Sequence, residues 1–200
     1  YKGCDLQQPP KTTVNQPIKL VYAGNIQLGR DEILANLAAS IQRLNADQPK
    51  AMLEIYSNNT VTEDMQSRLN IPGCSALCKP LPYEQIKKKL SEADIVLHVE
   101  SFAEEHTQYT RYSFSTKIID CLQSGSVLLV IGPAGLSSIE YPRKIPGAIV
   151  VDNLELLDSV LNGIVSASEK LPAQAASIRK FAEEHHQIHR VRERLHQDFS

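Results

Sequence analysis

The sequence lacks a dominant charge. Its 21 lysines and arginines stand against 23 aspartates and glutamates, a formal net charge of -2, which removes the broad electrostatic case for binding nucleic acid or an anionic membrane. Affinity for a charged ligand must be local. No apolar run approaches the roughly 20 residues that a membrane-spanning helix needs, and no signal-like segment opens the chain, so a soluble, cytoplasmic domain is expected. Cysteine is sparse: four in 200 residues do not make a disulfide scaffold, and Cys74 and Cys78 form a Cys-x3-Cys pair with no second pair at zinc spacing. Free, buried thiols are the expectation. His185 and His189 are four apart, as metal ligands can be, but no third ligand stands in a recognisable arrangement, and a polar surface helix accounts for them. No strongly self-similar repeat is visible.

Two nucleotide motifs are also missing. The stretch Gly24-Asn25-Ile26-Gln27-Leu28-Gly29-Arg30 has two glycines at the spacing of an ATPase phosphate loop, but Arg30-Asp31 stands where lysine and a magnesium-binding hydroxyl are required. It also does not read Gly-x-Gly-x-x-Gly, and no acidic residue of ribose-binding type closes the second strand beyond Glu54, which weighs against a nicotinamide-binding or flavodoxin-like domain. What remains is a glycine-bearing turn that permits close backbone approach, with Arg30 in reach of a diphosphate; an ordinary strand-to-helix turn with a solvated arginine is the alternative.

What is present is an alternation. Short apolar runs at 18–23, 51–57, 74–79, 94–99, 127–131 and 148–151 read as strands, and helical periodicity fills 30–44, 63–69, 83–91, 113–125, 154–165 and much of 173–199. Strands alternating with helices predict an α/β fold: a Rossmann-like, parallel six-stranded sheet with helices on both faces. The expected organisation is a linker over 1–15, suggested by Gln7-Gln8-Pro9-Pro10 and by a start at Tyr1 that reads as a piece of something longer. One domain over 16–166 and C-terminal helices over 167–200 follow. The segment 100–112 is long for a strand-to-helix connection, which marks it for function. The lysines at 87, 88 and 89 face outward and read as a solvated helix face.

The helix over 113–125 is the centre of this reading. Ile118, Ile119 and Leu122 share one side, while Lys117, Asp120, Cys121 and Ser124 share the other. Ser113 and Ser115 are candidate N-caps, Ser124-Gly125 supplies the stop, and the amides at such a helix start form an anion site. A phosphate is expected there.

Taken in order, Leu20-Val21-Tyr22-Ala23-Gly24-Asn25, Leu53-Glu54-Ile55-Tyr56, Ala93-Asp94-Ile95-Val96-Leu97, Ser115-Thr116-Lys117-Ile118-Ile119-Asp120 and Gln123-Ser124-Gly125-Ser126-Val127 resemble the donor half of a retaining GT-B glycosyltransferase of the group 1 family. Tyr1-Lys2-Gly3-Cys4-Asp5 resembles the segment by which such enzymes pass from their first domain to their second. The resemblance implies a nucleotide-diphosphate sugar, of UDP or GDP type, as ligand, with no metal or other cofactor. It implies an acceptor sugar or lipid-linked glycan reached through an N-terminal domain. It assigns Arg30 and Lys117 to the leaving diphosphate, with Ser115 and Thr116 at the helix entrance, Gly24 and Asn25 beneath the phosphates, Asp120 on the ribose, and backbone around Leu81 and Pro82 against the base. The sequence departs from the commoner family pattern at Tyr112, where relatives more often place an acid that serves the sugar. A non-catalytic nucleotide-sugar-binding module of the same fold is the alternative.

Overall fold

The computed structural model describes residues 3, 4, 6–110 and 115–187. Tyr112, Ser113, His189 and the rest of 188–200 lie outside the described residues, and so do the expectations that rest on them.

Six strands form a single parallel sheet: β1 (Ile18–Ala23), β2 (Ala51–Tyr56), β3 (Ser75–Cys78), β4 (Ile95–Val99), β5 (Val127–Ile131) and β6 (Ile149–Val151). Their order is β3-β2-β1-β4-β5-β6. Register runs from Ile18 beside Ala51 to Ala23 beside Tyr56, and from Ile95 beside Val127 to Val99 beside Ile131. All ten residues of β4 and β5 are buried, as expected of parallel strands covered on both faces.

α1 (Arg30–Leu44) packs with α2 (Glu63–Leu69) and α7 (Leu157–Ser166), while α5 (Lys117–Leu122) packs with α8 (Leu171–His185) and approaches α3 (Tyr83–Glu92) where Tyr83 bonds Asp120; α6 (Ser137–Glu140) is a single turn after β5. α1 turns Ile33, Leu34, Leu37, Ala38 and Ile41 into the core, as its period requires, each 3% exposed or less. Burial of each larger one stabilises the fold by roughly 1.5–3 kcal/mol.

Three elements differ from expectation. β3 is shorter than the run 74–79, because it is an edge strand held only by β2, from Leu53 beside Ser75 to Tyr56 beside Cys78. The connection after β4 contains a helix of its own, α4 (Glu104–Thr110), with no buried residue. α5 begins at Lys117, and its N-cap is Thr116 with no side-chain cap bond. Its first amides, Ile118 and Ile119, bond instead to the carbonyls of Ser115 and Thr116, so a tight backbone turn opens the helix. The stop is where it was expected. Gly125 adopts φ 80°, and a Cβ there would fall 2.2 Å from the carbonyl oxygen of Pro9, so the position tolerates only glycine.

That last contact belongs to a strap. Residues 6–15 lie against the domain: Lys11 N–H donates to the Gly125 carbonyl, and Arg179 donates to the carbonyls of Leu6 and Gln8. Asp94, at the start of β4, accepts from the Asn15 backbone at 3.0 Å, the Asn15 side chain at 3.0 Å and the Lys19 backbone at 2.7 Å, and pairs with Lys11 at 2.8 Å. Cys4 is buried, and its N–H bonds the carbonyl of His186 beyond α8. None of the four cysteines is in a disulfide; three are buried and Cys78 is half-buried. No helix among the described residues is long and apolar enough to cross a membrane.

Candidate functional site

The chain passes from β3, at one edge of the sheet, to β4 on the far side of β1. Connections therefore leave β1 and β4 in opposite directions and open a crevice at their carboxyl ends, the place where open α/β sheets bind ligands. A cleft of about 480 Å³ lies at this switch point, walled by Gly24 and Asn25 after β1, Tyr56 to Asn59 after β2, Pro80 and Leu81 after β3, Tyr83 on α3, and Lys117 and Asp120 on α5.

The turn after β1 is built by side chains from below. Tyr22, 1% exposed, donates its hydroxyl to the Asn25 carbonyl at 2.5 Å, and the Asn59 side chain accepts from Ile26 N–H at 2.8 Å. Asn25 closes an Asx turn by accepting from Gln27 N–H at 2.6 Å. Leu28 and Gly29 then both take positive φ, 58° and 70°, before α1 begins. A Cβ on Gly29 would fall 2.5 Å from Ser101 Oγ and 2.7 Å from His106 Cδ2, so this turn is fitted to the connection after β4.

Lys117 reaches across the cleft onto Gly24. A Cβ at position 24 would lie 2.1 Å from Lys117 Nζ, so glycine is what lets the ammonium meet the backbone. Nζ donates to the Tyr22 hydroxyl at 3.5 Å and sits 5.4 Å from the centre of that ring. Burial, followed by the positive charge of Arg30, pushes the Lys117 pKa down to about 8. Burial likewise raises Tyr22 well above the usual phenol value.

Arg30 stands beside this group but is already engaged. Its Nε and Nη2 donate to one oxygen of Glu100, at 3.1 and 2.8 Å, and its side chain is 13% exposed. The other Glu100 oxygen is 3.3 Å from Nε2 of His98, a fully buried residue of β4, though off the line of a good hydrogen bond. Neither His98 ring nitrogen has a hydrogen-bond partner among the described residues. Burial drives His98 below its ordinary pKa against the pull of Glu100. Burial would raise Glu100, but His98 and Arg30 together hold it below the ordinary carboxylate value.

On the opposite wall, Asp120 accepts from the Tyr83 hydroxyl at 3.1 Å and from Gln123 Nε2 at 3.2 Å. Tyr83 is 53% exposed, with the Lys87 ammonium 5.6 Å from its ring centre.

The structure thus brings Gly24, Asn25, Leu81, Lys117 and Asp120 together around one cleft. Pro82 is adjacent, as the N-cap of α3, and Arg30 lies behind the turn. Ser115 and Thr116 are not among the lining residues; their carbonyls serve the first turn of α5. Sequence reasoning missed Tyr22, Asn59, Tyr83 and the pair His98–Glu100. Asn59 shows in the sequence only as a polar residue after a strand, and Tyr83 only as the first residue of a helical period. Glu100 carried one usable signal, its place directly after the strand at the switch point. No cluster of three or more metal-ligating side chains occurs among the described residues, and His185 packs its ring on Phe181 with centroids 4.3 Å apart.

Solved structures share this fold. The GtfA/B complex superposes with a TM-score of 0.72 at 13% identity, over 98% of this chain and 38% of that one. HepE from Anabaena, in complex with UDP-glucose, gives 0.66 at 10% identity, over 91% of this chain and 48% of that one. The C-terminal domain of LpcC, a glycosyl transferase group 1 family protein from Francisella tularensis, gives 0.65 at 12% identity, over 93% of this chain and 100% of that domain. The fold is therefore that of the carboxyl-terminal half of a GT-B glycosyltransferase, and the chain spans less than half the length of GtfA/B or HepE. No protein-family model matches the sequence, and no curated protein matches it.

Proposed function

We propose that this chain is the donor-binding half of a glycosyltransferase, holding a nucleotide-diphosphate sugar in the cleft at the β1–β4 switch point. The observation that carries the reading is the seating of Lys117 on Gly24, which sets a desolvated ammonium against bare backbone at the carboxyl end of β1. In this reading the base lies by Leu81 and Pro82, the ribose hydroxyls bond Asp120, and the diphosphate rests over Gly24 and Asn25 between Lys117 and Arg30. The presence of UDP-glucose in HepE, whose fold is alike, supports a uridine diphosphate sugar among the candidates.

Chemistry follows from charge. As the bond from anomeric carbon to phosphate oxygen breaks, negative charge grows on the diphosphate, and fixed cations in a partly desolvated site stabilise that charge more than they stabilise the bound donor. Lys117 and Arg30 supply it, so the leaving group needs no metal in this scheme. The transfer retains anomeric configuration, and a second domain brings the acceptor, a sugar or lipid-linked glycan in cytoplasmic polysaccharide assembly. The pairing of Arg30 with Glu100 favours one other reading, a module of the same fold that binds a nucleotide sugar without transferring it.

Calorimetric titration with UDP, GDP and ADP tests the proposal. One nucleoside diphosphate should bind saturably, and Lys117→Met should weaken it by about tenfold, the loss expected for one charge-assisted contact. Absence of binding by all three, or a Lys117→Met variant that binds as the wild type does, refutes it. Sugar transfer by the full-length protein separates enzyme from binding module.

A further inference from the structure

A cation suited to an anionic ligand is held here by one of the protein's own carboxylates. Glu100 is 4% exposed, and its Oε2 takes both Nε and Nη2 of Arg30, the side-on edge by which a guanidinium grips a phosphate. Gly132, just past the end of β5, makes room for the stem of this side chain: a Cβ there would meet Glu100 Cβ at 3.1 Å and Ile139 Cδ1 at 2.7 Å. Its second oxygen faces the buried ring of His98. The charge of Arg30 reaches Lys117 and depresses its pKa, while the charge of Glu100 acts in the opposite sense on the same lysine. Arg30, Lys117 and Glu100 together carry a single net positive charge, and Asp120 in the cleft wall offsets it.

We infer that Glu100 is a positioning residue that competes with the donor's diphosphate for Arg30, so that the phosphates bind by exchanging one anion for another. The inference rests on the donor-site reading above. In the empty cleft Glu100 holds Arg30 in place and spares it an unpaired, nearly buried charge. When a diphosphate enters, Arg30 shares its donors between the two anions, and Glu100 repels the phosphates. After transfer the nucleoside diphosphate carries more negative charge than the donor did, so this repulsion is larger for the product. Glu100 thereby weakens product hold and lets the site turn over. A nucleoside lacking phosphates does not sense the residue.

The test titrates UDP and uridine, with GDP and guanosine in parallel, into the wild-type chain, Glu100→Gln, Arg30→Met and the double variant. Glu100→Gln keeps the side-chain shape and removes the charge. It should tighten diphosphate binding by about tenfold, as expected for one partly screened charge at close range, and leave the nucleoside affinity unchanged. In the Arg30→Met background most of the gain should vanish, since the competition acts through Arg30. A merely structural role would move nucleoside and diphosphate together. Diphosphate binding that is unchanged or weaker in Glu100→Gln overturns the inference, as does a gain that persists in full without Arg30. Should Glu100→Gln fail to fold, Glu100→Asp, which retracts the carboxylate by one methylene, gives the same sign with a smaller gain, and a loss there is equally fatal. Wild type that binds neither ligand removes the donor-site reading itself, a result distinct from these.

Discussion

Replacing Lys117 with methionine should make the protein more stable and a poorer binder at once. The ammonium sits in the cleft with its pKa pushed down from 10.5 to about 8, by burial first and Arg30 second. A displacement of that size corresponds to about 3 kcal/mol of unfavourable environment for the charged form. Against it stand the long bond to the Tyr22 hydroxyl and the contact with its ring, together worth about 1 kcal/mol or more. After these and solvent screening, a net gain of about 1.5 kcal/mol at pH 7 remains for Lys117→Met, or roughly 3–6 °C in melting temperature for a chain of this size. The sign with pH is fixed by proton count. Between about 8 and 10.5 the unfolded chain binds more protons at this lysine than the folded one, so wild-type stability from this group rises with pH across that window. The advantage of Lys117→Met is therefore full below about pH 8 and shrinks toward pH 10. Thermal melts at pH 7 and pH 9.5, paired with nucleoside diphosphate titrations, read both effects. A variant less stable than wild type at pH 7, or an advantage that grows with pH, would refute the reasoning.

Three further outcomes are expected. Asp94→Ala should destabilise the fold by about 3 kcal/mol in urea unfolding, because it strips the shared acceptor from Asn15 and Lys19 and the partner from Lys11; amide exchange should show residues 6–15 loosened before the sheet. Gly125→Ala meets both a positive φ and the Pro9 carbonyl, so a loss of about 2–3 kcal/mol is expected, measurable by the same unfolding curves. Asp120→Ala should weaken uridine and UDP alike by about tenfold while a 2′,3′-dideoxy nucleoside binds both proteins equally; a difference that survives removal of the ribose hydroxyls would show that Asp120 acts elsewhere.

Much of the architecture was legible because its signals are local. β5 is an unbroken apolar run, β1, β2 and β4 are apolar runs interrupted once each, by Lys19, Glu54 and His98, and their parallel pairing follows from the helical stretches between them. The helix Arg30–Leu44 shows its core face in its own spacing. Lys117 and Asp120 could be found because they share one side of a short helix whose opposite side is apolar. The start of that helix was not legible: whether a serine side chain or a backbone carbonyl satisfies the first amides depends on how the preceding connection arrives, and no periodicity records that. α4 was missed for a related reason. It buries nothing, so it leaves no apolar stripe.

The sequence by itself determined the alternation of strands and helices, the glycine-bearing turn after β1 and the polar face of the helix that carries Lys117 and Asp120, since periodicity and turn chemistry act between near neighbours along the chain; the strand order, and with it the crevice at the β1–β4 switch, belongs to the tertiary structure. Only the tertiary structure decided which charges meet. Arg30 and Glu100 are separated by 70 residues, Lys117 and Tyr22 by 95. Their contact arises because three strands end side by side and Gly24, Gly29 and Gly132 leave no side chain to hold them apart. A sequence states that a cation is present. Whether it waits for a ligand or is already held by a carboxylate is a matter of a few ångströms, set by packing.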